Sequence, residues 1–174
     1  MSTPDEQLLT LAHQVGNALR TTQLRLVLAE SCTGGVIAAA LTDVPGISEF
    51  FCGSAVTYRN ETKAQWLNVS RDDLANLTIG AVSRQVAEQM CRGVLTSTPE
   101  ADLAAAITGH LGPNSPPDLD GVVYICVLLR GSSTPIFQRS TLKNEISPQH
   151  SVRYVRQRQA AGLVLQTVLV LLQS

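Results

Sequence analysis

Residues 24–41 read LRLVLAESCTGGVIAAAL. The apolar run from Leu24 to Ala29, broken only by Arg25, predicts a buried strand over 24–29. Small hydroxyl residues and paired glycines then predict a tight turn, and the alanine-rich run that follows predicts a helix over 34–42. Backbone N–H groups at the start of a helix attract anions, and glycines let a ligand approach the main chain closely. The stretch therefore predicts a strand, a sharp turn and a helix, with a binding site at the turn.

The composition of the whole chain limits the class of protein. The chain has 174 residues, 44% of them hydrophobic, which is enough to bury one core, so we expect a single domain over 1–174. The formal charge of −1 gives no electrostatic reason to bind nucleic acid or an anionic membrane. The polar start of the chain is unlike a secretory signal, and the longest apolar run, 160–172, is too short to span a bilayer. These features indicate a soluble cytoplasmic protein that binds neither nucleic acid nor membrane.

The cysteines give no sign of a metal site. Cys32, Cys52, Cys91 and Cys126 are widely spaced and form no CxxC pair. Such spacing in apolar surroundings is typical of buried free thiols rather than of metal ligands or disulfides. We therefore expect no bound metal.

Helix signals recur along the chain. Thr3, Pro4 and Glu6 have the pattern of a capping box with proline at the first helical position, which predicts a first helix over 4–21. The other predicted helices start at a capping or opening residue, namely Asn60, Ser70 (ending near 77), Ser83 (ending near 96) and Pro148 (ending at 172).

Apolar runs between these helices predict four more strands, over 50–58, 102–108, 122–129 and 136–142. The uninterrupted run at 122–129 is typical of a strand that is buried on both faces of a sheet. A short turn at 132–134 joins the last two strands, so the sheet should be mixed. The sequence thus predicts an α/β fold, a three-layer α/β/α sandwich with a mixed, mostly parallel central sheet.

Reactive side chains follow three of the predicted strands, within 31–35, 58–63 and 108–113. Ligands of open α/β sheets collect at the carboxyl ends of the strands. Spacing alone nevertheless leaves two roles open for each of several residues, one catalytic and one structural. Ser31 could be a nucleophile or a helix cap, and Lys63 a base or a solvated helix residue. Cys32 could be a nucleophile or a packing residue, and Glu30 a base or a buried structural partner.

Five motifs in order make the sequence more specific. They are AESCTGG (29–35), LTDVPG (41–46), YRNETK (58–63), GAVS (80–83) and TG (108–109). Together they resemble the C-terminal domain family of the competence/damage-inducible protein CinA, over nearly the whole chain. The resemblance implies an α/β/α fold and hydrolysis of the carboxamide of nicotinamide mononucleotide to nicotinate mononucleotide and ammonia. It also implies a small nucleotide as substrate and no cofactor.

The resemblance implies roles for individual residues. Ser31 is the expected nucleophile and Lys63 its base, provided that burial lowers the lysine pKa. Tyr58 is expected to relay or position the proton, and Thr108 to form a hydrogen bond near the serine. Cys32 is then expected to pack. The expected substrate-binding residues are Thr33, Gly34 and Gly35, through N–H groups that face an oxyanion or a phosphate, together with Asn60, Gly109, Arg153 and Arg158.

One segment, 110–121, departs from the pattern of similar proteins. They have a glycine-rich loop that ends near a lysine, whereas this chain has Pro116 and Pro117 in the middle and Asp118 and Asp120 at the end. The prolines cannot supply N–H donors, and the carboxylates are expected to repel a phosphate. His110, beside the expected site, replaces an apolar residue.

A second function therefore stays open, that of a catalytically altered or inactive relative that binds a nucleotide or a partner protein through the same pocket. The apolar closing helix also makes a homo-oligomer possible.

Overall fold

The computed structural model describes residues 3–144 and 149–173. Its strands are β1 (Leu26–Glu30), β2 (Phe51–Val56), β3 (Leu103–Gly109), β4 (Val122–Leu129) and β5 (Ile136–Thr141). Its α-helices are α1 (Pro4–Thr22), α2 (Val36–Thr42), α3 (Asn60–Leu67), α4 (Arg71–Ala75), α5 (Arg84–Ser97) and α6 (Val152–Leu172). Short 3-10 turns lie at Ile47–Glu49 and Pro117–Leu119.

The five strands form one sheet in the order β2-β1-β3-β4-β5. β1 pairs in parallel with β2 and β3, whereas β4 pairs antiparallel with both β3 and β5. Four strands therefore run in one direction and β4 runs in the other, which confirms the mixed, mostly parallel sheet. All five residues of β1 are buried, as expected of a strand with a neighbour on each side and helices over both faces.

Alternate residues of each strand face opposite sides of the sheet. Leu26 and Leu28 of β1 join a core with α1, α2 and α6, whereas Val27 and Ala29 join a second core with α3 and α5. The apolar faces of the helices bury both sides of the sheet, and the three-layer α/β/α prediction is confirmed. None of the helices in the described part of the chain has the length and apolar character needed to cross a bilayer.

The helix boundaries follow the local chemistry. Thr3 and Glu6 form the predicted capping box, with Thr3 N–H donating to Glu6 Oε2 at 2.7 Å. α2 begins at Val36 rather than at residue 34, because Gly34 and Gly35 have φ values of 63° and 96°.

Other helix boundaries also differ from prediction. Arg59, not Asn60, is the N-cap of α3, since Thr62 bonds back to the Arg59 main chain. α4 ends at Ala75 instead of near 77, because the Asn76 side chain accepts from the N–H groups of Thr78 and Ile79 and forms a turn. Ser151 caps α6, and the predicted opening residue Pro148 lies outside the described residues.

Gly93 of α5 permits the close approach of α3, the helix that carries Lys63. A Cβ atom at Gly93 would lie 2.0 Å from the carbonyl oxygen of Leu67 at the end of α3. We expect Gly93→Ala to lower the free energy of unfolding by about 2–3 kcal/mol, because backbone must move to admit the methyl group. Urea denaturation measures the loss. Gly162→Ala in α6 is the matched control, since its Cβ would meet only a side-chain atom at 3.4 Å. Equal stability of Gly93→Ala and the wild type would contradict this packing.

Candidate active site

A cavity of about 270 Å³ opens at the carboxyl ends of β1 and β3, where an open α/β sheet places its ligands. None of its lining side chains in the described structure is acidic. The lining residues are Ser31, Cys32, Tyr58, Asn60, Lys63, Ala81, Val82, 108–115 and Arg153. Seven of the predicted site residues thus share one cavity, namely Ser31, Tyr58, Asn60, Lys63, Thr108, Gly109 and Arg153.

Ser31 and Lys63 are in direct contact. The Lys63 side chain is 2% exposed, and its Nζ lies 2.9 Å from Ser31 Oγ and 2.9 Å from the carbonyl oxygen of Thr57. The alternative interpretation of Lys63 as a solvated helix residue is therefore wrong. Thr57 directly follows β2, and Ser31 directly follows the neighbouring strand β1. The carbonyl oxygen of Thr57 therefore holds Lys63 beside Ser31.

Burial changes the acid–base behaviour of this lysine. Removal from water disfavours the ammonium form and lowers the pKa of Lys63 to about 8. Among the described residues, no carboxylate forms an ion pair with Lys63 that would restore the charge. A substantial fraction of Lys63 is therefore neutral at mildly alkaline pH and can accept a proton from the hydroxyl that it contacts.

The turn after β1 is held by Glu30, which is fully buried. Its carboxylate accepts from the N–H groups of Gly35, Ile37 and Ala38 and from the Ser54 hydroxyl, at 3.0–3.2 Å. The Glu30 carboxylate is thus the anion that the N–H groups at the start of α2 bind. Glu30 is a structural partner of the turn, which was one of its two predicted roles.

This arrangement corrects the expected roles of three turn residues. The N–H of Gly34 donates to the carbonyl oxygen of Ser31 and that of Gly35 to Glu30, so neither is free for an oxyanion or a phosphate. Thr33 is fully buried and does not line the cavity. The structure therefore contradicts the prediction for the N–H groups of Gly34 and Gly35, which the turn itself uses, and it places Thr33 outside the cavity lining.

Cys32 has the environment of a packing residue. Its side chain is buried in the core that β1 shares with α1, α2 and α6, and burial raises the pKa of its thiol to about 12. The thiolate, which is the nucleophilic form of cysteine, is therefore scarce at any physiological pH. This leaves the Ser31 hydroxyl as the nucleophile candidate of the turn.

Tyr58 and Arg153 lie together at the mouth of the cavity. Arg153 donates from Nη2 to Tyr58 Oη and from Nη1 to the carbonyl oxygen of Gly112, both at 2.7 Å. The Tyr58 side chain is 60% exposed, and its hydroxyl accepts a hydrogen bond from Arg153 rather than contacting Ser31 or Lys63. Tyr58 therefore lies next to Arg153, whose guanidinium can bind an anionic group, in the cavity that Ser31 and Lys63 also line.

The remaining predicted residues divide between the cavity and other parts of the fold. The Thr108 hydroxyl donates to the carbonyl oxygen of Ala81 at 2.7 Å, and both residues line the cavity together with Ser31. Asn60 and Gly109 line the cavity.

Arg158 does not line the cavity. Its guanidinium pairs with Asp5 at 3.0 Å and lies over the Tyr154 ring. Arg158 as a phosphate ligand was wrong, because α6 turns it toward the start of α1.

The two aspartates of the 110–121 segment also differ from expectation. Asp120 pairs with the guanidinium of Arg156, which is 4% exposed, so its charge is balanced within the protein. Asp118 is exposed and does not line the cavity. Neither carboxylate therefore faces the site. Arg156 was missed as a site-related residue, although its spacing of three residues from Arg153 places both on one face of α6.

Comparison with known sequences identifies the same family as the five motifs. The protein-family model described as CinA C-terminal domain matches residues 8–166. A CinA-like protein of Chlorobium limicola is 41% identical over 125 residues, which are 72% of this chain and 28% of that protein. A CinA-like protein of Geobacter metallireducens is 45% identical over 120 residues, 68% of this chain and 28% of that protein. The chain thus spans less than a third of the length of these relatives.

Comparison with solved structures extends over almost the whole chain. The competence/damage inducible protein CihA of Agrobacterium tumefaciens has a TM-score of 0.83 at 29% identity, covering 97% of this chain and 96% of that one. A CinA superfamily protein of Escherichia coli has a TM-score of 0.82 at 28% identity, covering 98% and 94%. Since the family match, the sequence relatives and the fold agree, this chain belongs to the CinA C-terminal domain family.

Proposed function

We propose that this protein hydrolyses the carboxamide of nicotinamide mononucleotide to nicotinate mononucleotide and ammonia, with Ser31 as nucleophile and Lys63 as base. One observation carries the proposal: a buried lysine of lowered pKa contacts the Ser31 hydroxyl at 2.9 Å in a cavity at the ends of the strands. Amide hydrolysis through a serine requires such a pair, since the hydroxyl is a weak nucleophile until a base removes its proton.

The first half of the reaction transfers the acyl group to the protein. Ser31 Oγ attacks the carboxamide carbon while its proton passes to neutral Lys63. The resulting ammonium gives a proton to the amide nitrogen, which leaves as ammonia, and the nicotinoyl nucleotide remains as an ester on Ser31. The Thr57 carbonyl oxygen holds Lys63 in place in both protonation states by accepting its hydrogen bond.

The second half regenerates the serine. Water attacks the ester carbon while Lys63 accepts its proton, and the ester bond breaks as that proton returns to Ser31 Oγ. The products of the whole cycle are nicotinate mononucleotide and ammonia, so the atoms balance with water as the only co-reactant.

The cavity suits a carboxamide that also carries a negative charge. Arg153 lies at the mouth, and no acidic side chain of the described residues lines the walls. A guanidinium can form paired hydrogen bonds to phosphate oxygens. We assign Arg153 to the substrate phosphate and Asn60 to a polar contact beside it. Membership of the CinA C-terminal domain family agrees with the resemblance that implies this activity.

Product formation from nicotinamide mononucleotide tests the function. We expect the purified protein to release ammonia and nicotinate mononucleotide in equal amounts. Nicotinamide riboside, which lacks the phosphate, should be hydrolysed with a KM raised at least about tenfold, since it forgoes the charge-assisted bonds to Arg153. Calorimetric binding of the mononucleotide without turnover would instead support the non-catalytic alternative. Equal KM values for the two compounds would contradict the phosphate assignment.

A further inference from the structure

The ion pair between Asp120 and Arg156 lies behind the wall of the cavity. Arg156 donates from Nη1 to Asp120 Oδ1 at 2.8 Å and from Nη2 to Asp120 Oδ2 at 2.7 Å. Such a fork of two parallel bonds fixes both distance and orientation. The same Nη1 also reaches the carbonyl oxygen of Leu111 at 3.4 Å. One guanidinium therefore holds both ends of the segment that runs from Leu111 to Asp120.

The backbone of this segment is folded closely around that guanidinium. A Cβ atom at Gly112 would lie 3.1 Å from Arg156 Nη1, and one at Gly121 would lie 3.2 Å from Arg156 Cζ. Both glycines have positive φ, 69° and 73°, a conformation that other residues adopt only with strain. The two glycines thus let the main chain reach the guanidinium from both sides.

Contacts continue from this pair to the substrate side of the wall. The carbonyl oxygen of Gly112 accepts from Arg153, and Arg153 also bonds Tyr58 Oη. Leu111 and Gly112 line the cavity directly. A movement of Gly112 would therefore move the acceptor that orients the Arg153 guanidinium.

We propose that Asp120 and Arg156 are positioning residues, which set the place of the 111–113 wall and, through the Gly112 carbonyl oxygen, the orientation of Arg153 toward an anionic substrate group. The inference rests on the proposed function for its substrate, and on the contacts above for its geometry. Asp120 in this view does not repel the phosphate, because Arg156 binds its carboxylate from behind the wall.

Asp120→Asn tests the proposal, because it keeps the shape of the side chain and leaves the buried Arg156 without a counter-charge. We expect the KM for nicotinamide mononucleotide to rise about tenfold while kcat changes less than about threefold, since Ser31 and Lys63 are not contacted by the pair. Asp120→Glu, which can still bind Arg156, should restore most of the affinity. Asp118→Asn is the matched control, because it removes the same charge from an exposed position of the same loop.

Hydrogen exchange provides a readout that does not depend on turnover. In Asp120→Asn the amides of His110, Gly112 and Gly121, which are hydrogen-bonded in this loop, should exchange faster, and in Asp118→Asn they should not. If the wild type has turnover, an unchanged KM in Asp120→Asn overturns the proposal. If the wild type has none, the proposed function fails, and unchanged exchange in Asp120→Asn then overturns the positioning role separately.

Discussion

Lys63→Met should lower kcat/KM for nicotinamide mononucleotide by about a thousandfold or more. Methionine has a similar length and suits a buried position, but it cannot take the proton of Ser31, and losses of this size are typical when a base of a serine nucleophile is removed. Ammonia release measures the effect. Lys143→Met is the matched control, since Lys143 is the other lysine of the chain and is exposed. Wild-type activity in Lys63→Met would contradict the assignment of the base.

The pH profile of the wild type should show the same lysine. Only neutral Lys63 accepts a proton, and burial lowers its pKa to about 8. The value of kcat/KM should therefore fall about tenfold per pH unit as the pH drops below about 8, and become level above it. In Lys63→Met the residual activity should lose this inflection. A wild-type profile that is flat between pH 6 and about 9 would contradict a lysine base with this pKa.

Glu30→Ala is expected to have the largest effect on stability. It would leave the N–H groups of Gly35, Ile37 and Ala38 and the Ser54 hydroxyl without their buried acceptor. We expect the free energy of unfolding to fall by about 3 kcal/mol or more, because each unsatisfied buried donor carries the cost of its lost hydration. Urea denaturation followed by circular dichroism measures this change.

Glu30→Gln tests the hydrogen-bond acceptor role of Glu30 while the side-chain volume stays nearly the same. Glutamine keeps one acceptor oxygen and replaces the other with a donor, so we expect a smaller loss, of about 1–2 kcal/mol. If Glu30→Ala were within about 1 kcal/mol of the wild type, the carboxylate would not be holding the turn.

The general architecture could be predicted because it depends on local pattern. The apolar runs before and after the AESCTGG motif determine a strand and a helix, and the short turn at 132–134 determines that β4 and β5 are antiparallel. The capping box at Thr3 is equally local. Boundaries departed from prediction where a side chain competes for the backbone, as Asn76 does at the end of α4.

The environment of the site residues could not be predicted in the same way. Lys63 lies among polar residues in sequence, and only the fold shows that its side chain is buried against Ser31 and Thr57. The turn at Gly34 and Gly35 has the sequence of an anion site, but the anion is Glu30, four and five residues earlier in the chain. Asp120 and Arg156 are 36 residues apart, so only the fold shows that their charges neutralise each other.

Ammonia release by the wild type and by Ser31→Ala, at saturating nicotinamide mononucleotide and about pH 9, is the most direct test of the serine mechanism, because Lys63 is then mostly neutral. We predict turnover in the wild type and a loss of at least about ten-thousandfold in Ser31→Ala, since no other nucleophile of the turn can replace the hydroxyl. Turnover that persists in Ser31→Ala would contradict the account.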